Sequence, residues 1–214
     1  MRFERDAVIR MRDGVRLFAN VFRPDDGAAH PVVLSVTPYG KDNTPDRIGM
    51  FFMGLAGVNF GKLKCSRWTG FESPDPLFWV DAGYNVVQAD VRGMHKSEGR
   101  AGAWTPADAQ DYAELIEWCA RQPWSSGAVG LCGVSYLAMS QWNAAALRPP
   151  ALKAIIPWEG ATDLLRELGY QDGVRESGFV SLWWNNRMQR GHNRRFALAE
   201  DFIRERDARP LDDE

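Results

Sequence analysis

The stretch Ala128-Val129-Gly130-Leu131-Cys132-Gly133-Val134-Ser135-Tyr136-Leu137-Ala138 constrains this chain more than any other. Five mostly apolar residues read as a buried parallel strand, and a Gly-x-Ser step then turns directly into an alanine-rich helix, Leu137 to Leu147. Such a sharp strand-to-helix turn is a nucleophile elbow: it lifts the serine Oγ clear of the sheet and strains the serine backbone. Only a very small residue fits two positions earlier, which accounts for Gly133. The helix opening at Tyr136 aims its free N–H groups and positive dipole end at the place where an oxyanion forms. The chemistry implied is attack of Ser135 on an acyl group. The pattern departs from the usual elbow, because Leu137 stands two residues after the serine where glycine is common, and the next small residue is Ala138. A Gly-x-Ser in this setting also occurs as a plain tight turn, so the rest of the chain must decide.

An opening hairpin is predicted, with Ala7 to Arg12 and Val15 to Arg23 flanking Asp13-Gly14, a dipeptide suited to a two-residue type I′ turn. Val32 to Val36 is a short buried-type strand, followed by a long glycine-punctuated segment from Tyr39 to about Ser73. Regular alternation begins at Pro74: a short helix (Asp75 to Ala82), a strand (Tyr84 to Asp90), then a helix with Thr105 as N-cap, Pro106 at its first position and Asp108 completing a capping box. Tyr112, Leu115, Ile116 and Cys119 form its apolar stripe, and Pro123 stops it. The elbow strand and helix, Pro149-Pro150 and the strand Lys153 to Pro157 complete the series. Strands alternating with helices imply an α/β fold, a parallel sheet covered on both faces. Past Pro157 the spacing predicts three helices, 161–169, 178–190 and 196–206, with no strand between them. Residues 1–160 therefore read as the core and 161–214 as the start of a helical cap.

Composition sets bounds rather than a function. With 45% hydrophobic and 25% charged residues the chain is an ordinary globular protein, and a net charge of −2 gives no reason to propose nucleic acid or an anionic membrane as partner. No apolar run is long enough to cross a bilayer, and the charged start has no apolar core of a signal peptide. Cys65, Cys119 and Cys132 are an odd number without metal spacing, so they read as free thiols and the expected location is cytoplasmic. No metal or organic cofactor is expected. Nine tryptophans is a high count. Most are expected in the core, but the adjacent pair Trp183-Trp184 is hard to bury on one helix face and is a candidate for lining an apolar substrate pocket.

Taken together, Asp13-Gly14-Val15-Arg16-Leu17, the strand leading to Pro38-Tyr39-Gly40-Lys41, Asp90-Val91-Arg92-Gly93 through Ser97-Glu98-Gly99, Gly133-Val134-Ser135-Tyr136 and Lys153 to Pro157 resemble the N-terminal portion of the Xaa-Pro dipeptidyl-peptidase and cocaine-esterase-like (CocE/NonD) family of α/β-hydrolases. Members of that family resemble this chain in placing Tyr after the serine and the small residue three after it. The resemblance implies serine hydrolysis of an ester or amide, on a small molecule or short peptide, with Ser135 as nucleophile. It implies that Tyr39 donates its phenol hydroxyl to the oxyanion and that the Tyr136 N–H is the second donor; the Tyr136 side chain carries no claim. The alternative for Tyr39 is a turn residue with its ring on the core.

Triad order in this fold is serine, acid, histidine. His95, where glycine is common, therefore reads as a structural loop histidine rather than the base. Only His192 follows Ser135, and it falls in the cap segment with no strand before it; Asp163 follows the last core strand by six residues. The expectation is thus a nucleophile-and-oxyanion half without its acid–base half, either a fragment of a longer enzyme or an inactive relative kept as a binding module.

Overall fold

A computed structural model of the chain describes residues 1–43 and 65–192. The described strands β1 (Arg2–Arg10), β2 (Arg16–Arg23), β3 (His30–Thr37), β4 (Asn85–Asp90), β5 (Ser125–Val134) and β6 (Leu152–Trp158) form one sheet in the order β1-β2-β4-β3-β5-β6. β4, β3, β5 and β6 run parallel, as the alternation predicts. The β1–β2 hairpin extends them through an antiparallel β2–β4 pairing that includes Ala19↔Ala89 and Val21↔Val87. Helices α1 (Pro76–Asp81), α2 (Pro106–Ala120) and α3 (Tyr136–Ala146) cover the sheet. Side chains alternate between the faces of a strand, and neighbouring residues accordingly join different cores. Phe22 and Val86 pack with Val80 of α1, while Val21 and Val87 belong to the larger core shared with Leu115, Ile116 and Leu137 of α2 and α3. The predicted capping box of α2 is present, with Asp108 N–H donating to Thr105 Oγ1 (3.2 Å) and Thr105 N–H to Asp108 Oδ2 (2.8 Å).

Two turns differ from expectation, and the same physics explains both. Arg10 pairs with Arg16, so the first hairpin turns through Arg12–Gly14 and not through Asp13-Gly14 alone. Gly14 N–H bonds Met11 O (2.9 Å), Met11 N–H bonds Val15 O (2.8 Å), and in this turn only Gly14, at φ 85°, enters the left-handed region. Tertiary partners hold this turn: Asp13 accepts from Arg92 Nη1 (2.6 Å), and Arg12 donates to Asp111 (2.7 Å) and Glu114. The two-residue hairpin occurs later, inside the segment expected to be purely helical. β7 (Tyr170–Gln171) and β8 (Val174–Arg175) are joined by Asp172 and Gly173, at φ 51° and 81°. Both positive φ values suit type I′ geometry. The predicted helix 161–169 shrinks to a π-helical turn, Leu165–Gly169. The second survives as α4 (Phe179–Trp183), which runs on through a π-helical turn (Trp184–Met188) and a final turn (Gln189–Gly191). The third, 196–206, lies outside the described residues.

The Asp-x-Arg-Gly segment after β4 is architecture. Arg92 donates to Asp111 through Nε (2.6 Å) and Nη2 (2.7 Å), tying the first hairpin to α2. Gly93 has φ 73°, and a Cβ there would lie 2.1 Å from Ala101 N. No described helix is long and apolar enough to cross a membrane.

Candidate active site

The elbow is built at the C-terminal end of β5. Ser135 sits at φ 55°, ψ −115°, between the last residue of β5 and the first of α3. A non-glycine residue held there costs about 1–3 kcal/mol and persists only where its surroundings over-determine it. Here they do. Val134 N–H donates to Glu72 O (3.1 Å) and Ser135 N–H to Trp158 O (3.0 Å), while Ser135 O accepts from Ala138 and Met139 N–H. Gly133 is required because an added Cβ would meet Leu137 Cβ at 2.4 Å. The small residue at Ala138 has its own cause: Gly160 passes so close that a Cβ on it would lie 2.8 Å from Ala138 Cβ. Tyr136 opens α3, so its N–H has no intrahelical acceptor.

Tyr39 follows β3 and is 7% exposed. Its N–H bonds Thr37 Oγ1 (3.1 Å), and the next residues are anchored by Lys41 N–H to Asp90 Oδ1 (2.6 Å) and by Lys41 Nζ to Asp42 (2.6 Å). Gly40 has φ 98°, and the His95 ring occupies the space a Cβ would need. His95 is thus a wedge: its N–H donates to Gly191 O (2.7 Å) and its ring packs between Gly40 and Gly191. Desolvation lowers its pKa although the residue keeps solvent access. His192 pairs with Met94 in an isolated antiparallel bridge, and its N–H bonds Gln189 O. Asp163 caps the π-helical turn, accepting from Arg166 N–H (3.0 Å). These contacts involve the His192 backbone and the Asp163 carboxylate, and none of them reaches the serine.

The structure brings Tyr39, Tyr136 and Trp183 together beside the elbow. Trp183 Nε1–H donates to Tyr39 Oη at 3.1 Å. The Trp183 ring stacks on Trp104 (5.4 Å), Trp104 stacks on Tyr136 (4.7 Å), and the Tyr39 and Tyr136 rings meet edge-on at 6.3 Å. Trp183 is therefore tied to the Tyr39 hydroxyl, and Trp184 packs edge-on against it at 6.2 Å. Both tryptophans keep partial exposure. Burial raises the Tyr39 pKa further above its ordinary value, so the phenol stays protonated.

Two members of this cluster carry no sequence signal of their own. Trp104 precedes α2 at φ 55°. Glu72, at φ 61°, lies in the long irregular segment, and its carboxyl faces the Tyr39 hydroxyl. Burial pushes the Glu72 pKa up to about 8, aided by the nearby Glu159 charge and opposed by Tyr39 and Arg187. Among the described residues no three His, Cys, Asp or Glu side chains converge as a metal site. Cys132, on β5, is a buried thiol whose pKa burial raises to about 11.

The profile of the X-Pro dipeptidyl-peptidase (S15) family matches residues 13–213. The chain belongs to that family. Its fold is that of the α/β-hydrolases, here in part. The cocaine esterase of a Rhodococcus species is 34% identical over 84% of this chain. A CocE/NonD family hydrolase from Staphylococcus aureus is 41% identical over 99% of the chain, with a TM-score of 0.83. An α-amino acid ester hydrolase is 27% identical over 78% of it, with a TM-score of 0.58. The chain spans 27% of the length of the Rhodococcus relative and 37% of the Staphylococcus one.

Proposed function

We propose that this chain carries the nucleophile and oxyanion hole of a serine hydrolase that cleaves a small ester, an amide or a short peptide. The observation that carries the reading is the Ser135 backbone, strained at φ 55° and ψ −115° and pinned on both sides at a strand–helix junction. Ser135 Oγ attacks the carbonyl carbon, and its proton passes to a general base. The carbonyl electron pair collects on oxygen, stabilised by the Tyr39 hydroxyl and the Tyr136 N–H. Collapse expels the alcohol or amine, which takes up the proton, and water then releases the acyl group from Ser135. The exposed parts of Trp183 and Trp184 line the acyl side. The base and its orienting acid are assigned to residues outside those described, since no described contact of His95, His192 or Asp163 reaches Ser135. Those contacts also favour a second reading, in which this chain by itself binds ligands without turning them over.

Labelling with a fluorophosphonate tests the assignment. Without a base the serine is a poor nucleophile, so Ser135 is expected to label slowly or not at all in this chain, and any label to vanish in Ser135→Ala. Rapid stoichiometric labelling of Ser135 that is lost in His192→Ala would instead make His192 the base.

A further inference from the structure

The cluster around Tyr39 contains one group that serine hydrolysis, as described above, does not use. Glu72 is fixed at the elbow by its own main chain: its carbonyl accepts the Val134 N–H, one residue before Ser135. Its side chain turns to the Tyr39 hydroxyl, and Oε2 is buried with no hydrogen-bond partner among the described residues. The other charged groups facing it are Glu159, just past β6, and Arg187, whose guanidinium lies 5.6 Å over the Phe71 ring.

The hydrogen-bond capacity of Tyr39 makes this contact consequential. A phenol oxygen has one proton to donate and two lone pairs to accept with. Trp183 Nε1–H occupies one lone pair. A neutral Glu72 can fill the other with its own O–H, which leaves the Tyr39 proton for the oxyanion. An ionised Glu72 can only accept, so the Tyr39 proton turns toward it and the hole loses that donor. We propose that Glu72 is a positioning residue for the oxyanion donor: its neutral carboxyl directs the Tyr39 proton toward Ser135, and its carboxylate form withdraws it. The inference rests on the oxyanion role proposed above for Tyr39. With a Glu72 pKa near 8, the productive form predominates at neutral pH and is lost as pH rises through that value. Glu72→Gln replaces the switching group with a permanent N–H donor of nearly the same shape.

Two measurements on the full chain separate this inference from the reading beneath it. The first is an NMR titration of the Trp183 Nε1–H signal from pH 6 to 9.5, assigned by its disappearance in Trp183→Phe. The indole signal is expected to titrate with a midpoint near 8, to stop titrating in Glu72→Gln, and to lose most of its shift in Tyr39→Phe. A titration that persists in Glu72→Gln, or survives Tyr39→Phe unchanged, would overturn the proposal. The second uses an aryl trifluoromethyl ketone, whose carbonyl carbon bonds Ser135 Oγ while the carbonyl pair moves to oxygen and the serine proton leaves to solvent; fluorine NMR reads the hemiketal. Raising the pH from 7 to 9 should weaken this adduct about tenfold in the wild-type chain relative to Glu72→Gln. A constant ratio overturns the role of Glu72 and leaves Tyr39 as a donor. An adduct that is equally stable in Tyr39→Phe overturns the oxyanion reading itself, whatever the indole titration shows.

Discussion

The corner around Ser135 and the segment after β6 are built on different principles. At the corner, backbone and side chains confine each other: Gly133 against Leu137, Ala138 against Gly160, Val134 and Ser135 hydrogen-bonded to two separate segments. Beyond Trp158, among the described residues, few join the core, Trp183, Trp184 and Met188 among them. Leu165, Val174, Phe179 and Leu182 are each more than 60% exposed, and β6 ends the described sheet with residues that are mostly half-buried or exposed. Both regions hold a non-glycine residue at positive φ, but Ser135 is fixed by several distant segments and Asp172 by its own two-residue turn. A serine can hold a left-handed backbone at a crowded junction, whereas the later segment keeps to self-sufficient local motifs such as the Asp172-Gly173 hairpin.

The largest expected effect belongs to the corner. In an enzyme that contains this chain and turns over an ester, Tyr39→Phe should lower kcat by about 10²–10³-fold with little change in KM, because the donor is used mainly in the transition state. Steady-state kinetics decides it, and an unchanged kcat would leave the hole to backbone donors. Glycine substitutions then test the contrast directly. Gly133→Ala puts a methyl group 2.4 Å from Leu137 Cβ and should destabilise by about 3 kcal/mol. Gly173→Ala, at φ 81° in open space, meets only backbone strain and should cost about 1 kcal/mol. Equal losses in urea unfolding would erase the distinction between the two regions.

Glu72→Gln sharpens the comparison through pH. The folded-state pKa of Glu72 is raised from 4.5 to about 8, so between those values the folded chain holds a proton that the unfolded chain has released. Stability therefore falls across that window as pH rises. Glu72→Gln should match the wild type near pH 4 and gain on the order of 1–2 kcal/mol by pH 8, after discounting for solvent screening at this half-buried site. Thermal melts at the two pH values check the sign. The smallest effect lies in the outer segment. Leu182→Ser should change stability by no more than about 0.5 kcal/mol, yet reduce the self-association expected of an exposed apolar face and sheet edge. Sedimentation analysis reads this, and a wild-type chain that is already monodisperse would count against it.

Much of the fold was legible because its signals are local. The capping box at Thr105 and Asp108, the stripe from Tyr112 to Cys119 and the Gly-x-Ser junction each sit within a few residues, and each appears in the structure where the spacing predicts. The two hairpins show the limit of such signals. Asp13-Gly14 and Asp172-Gly173 are the same dipeptide, yet the first turn is held by distant partners, Arg92 on Asp13 and Asp111 and Glu114 on Arg12, whereas the second closes within its own hairpin.

The sequence by itself determined the order of strands and helices as far as β6, the elbow and its serine, since hydrophobic period, capping residues and small-residue requirements act over one turn or one strand. Tertiary structure alone decided what surrounds that serine. Trp104, Glu72 and Trp183 reach Tyr39 and Tyr136 from three segments with no shared periodicity, through ring stacking and a hydrogen bond spanning 144 positions. The pKa of Glu72 is likewise a tertiary property, because a carboxyl takes its charge state from the water it loses and the groups it faces, and both depend on where the distant chain is packed.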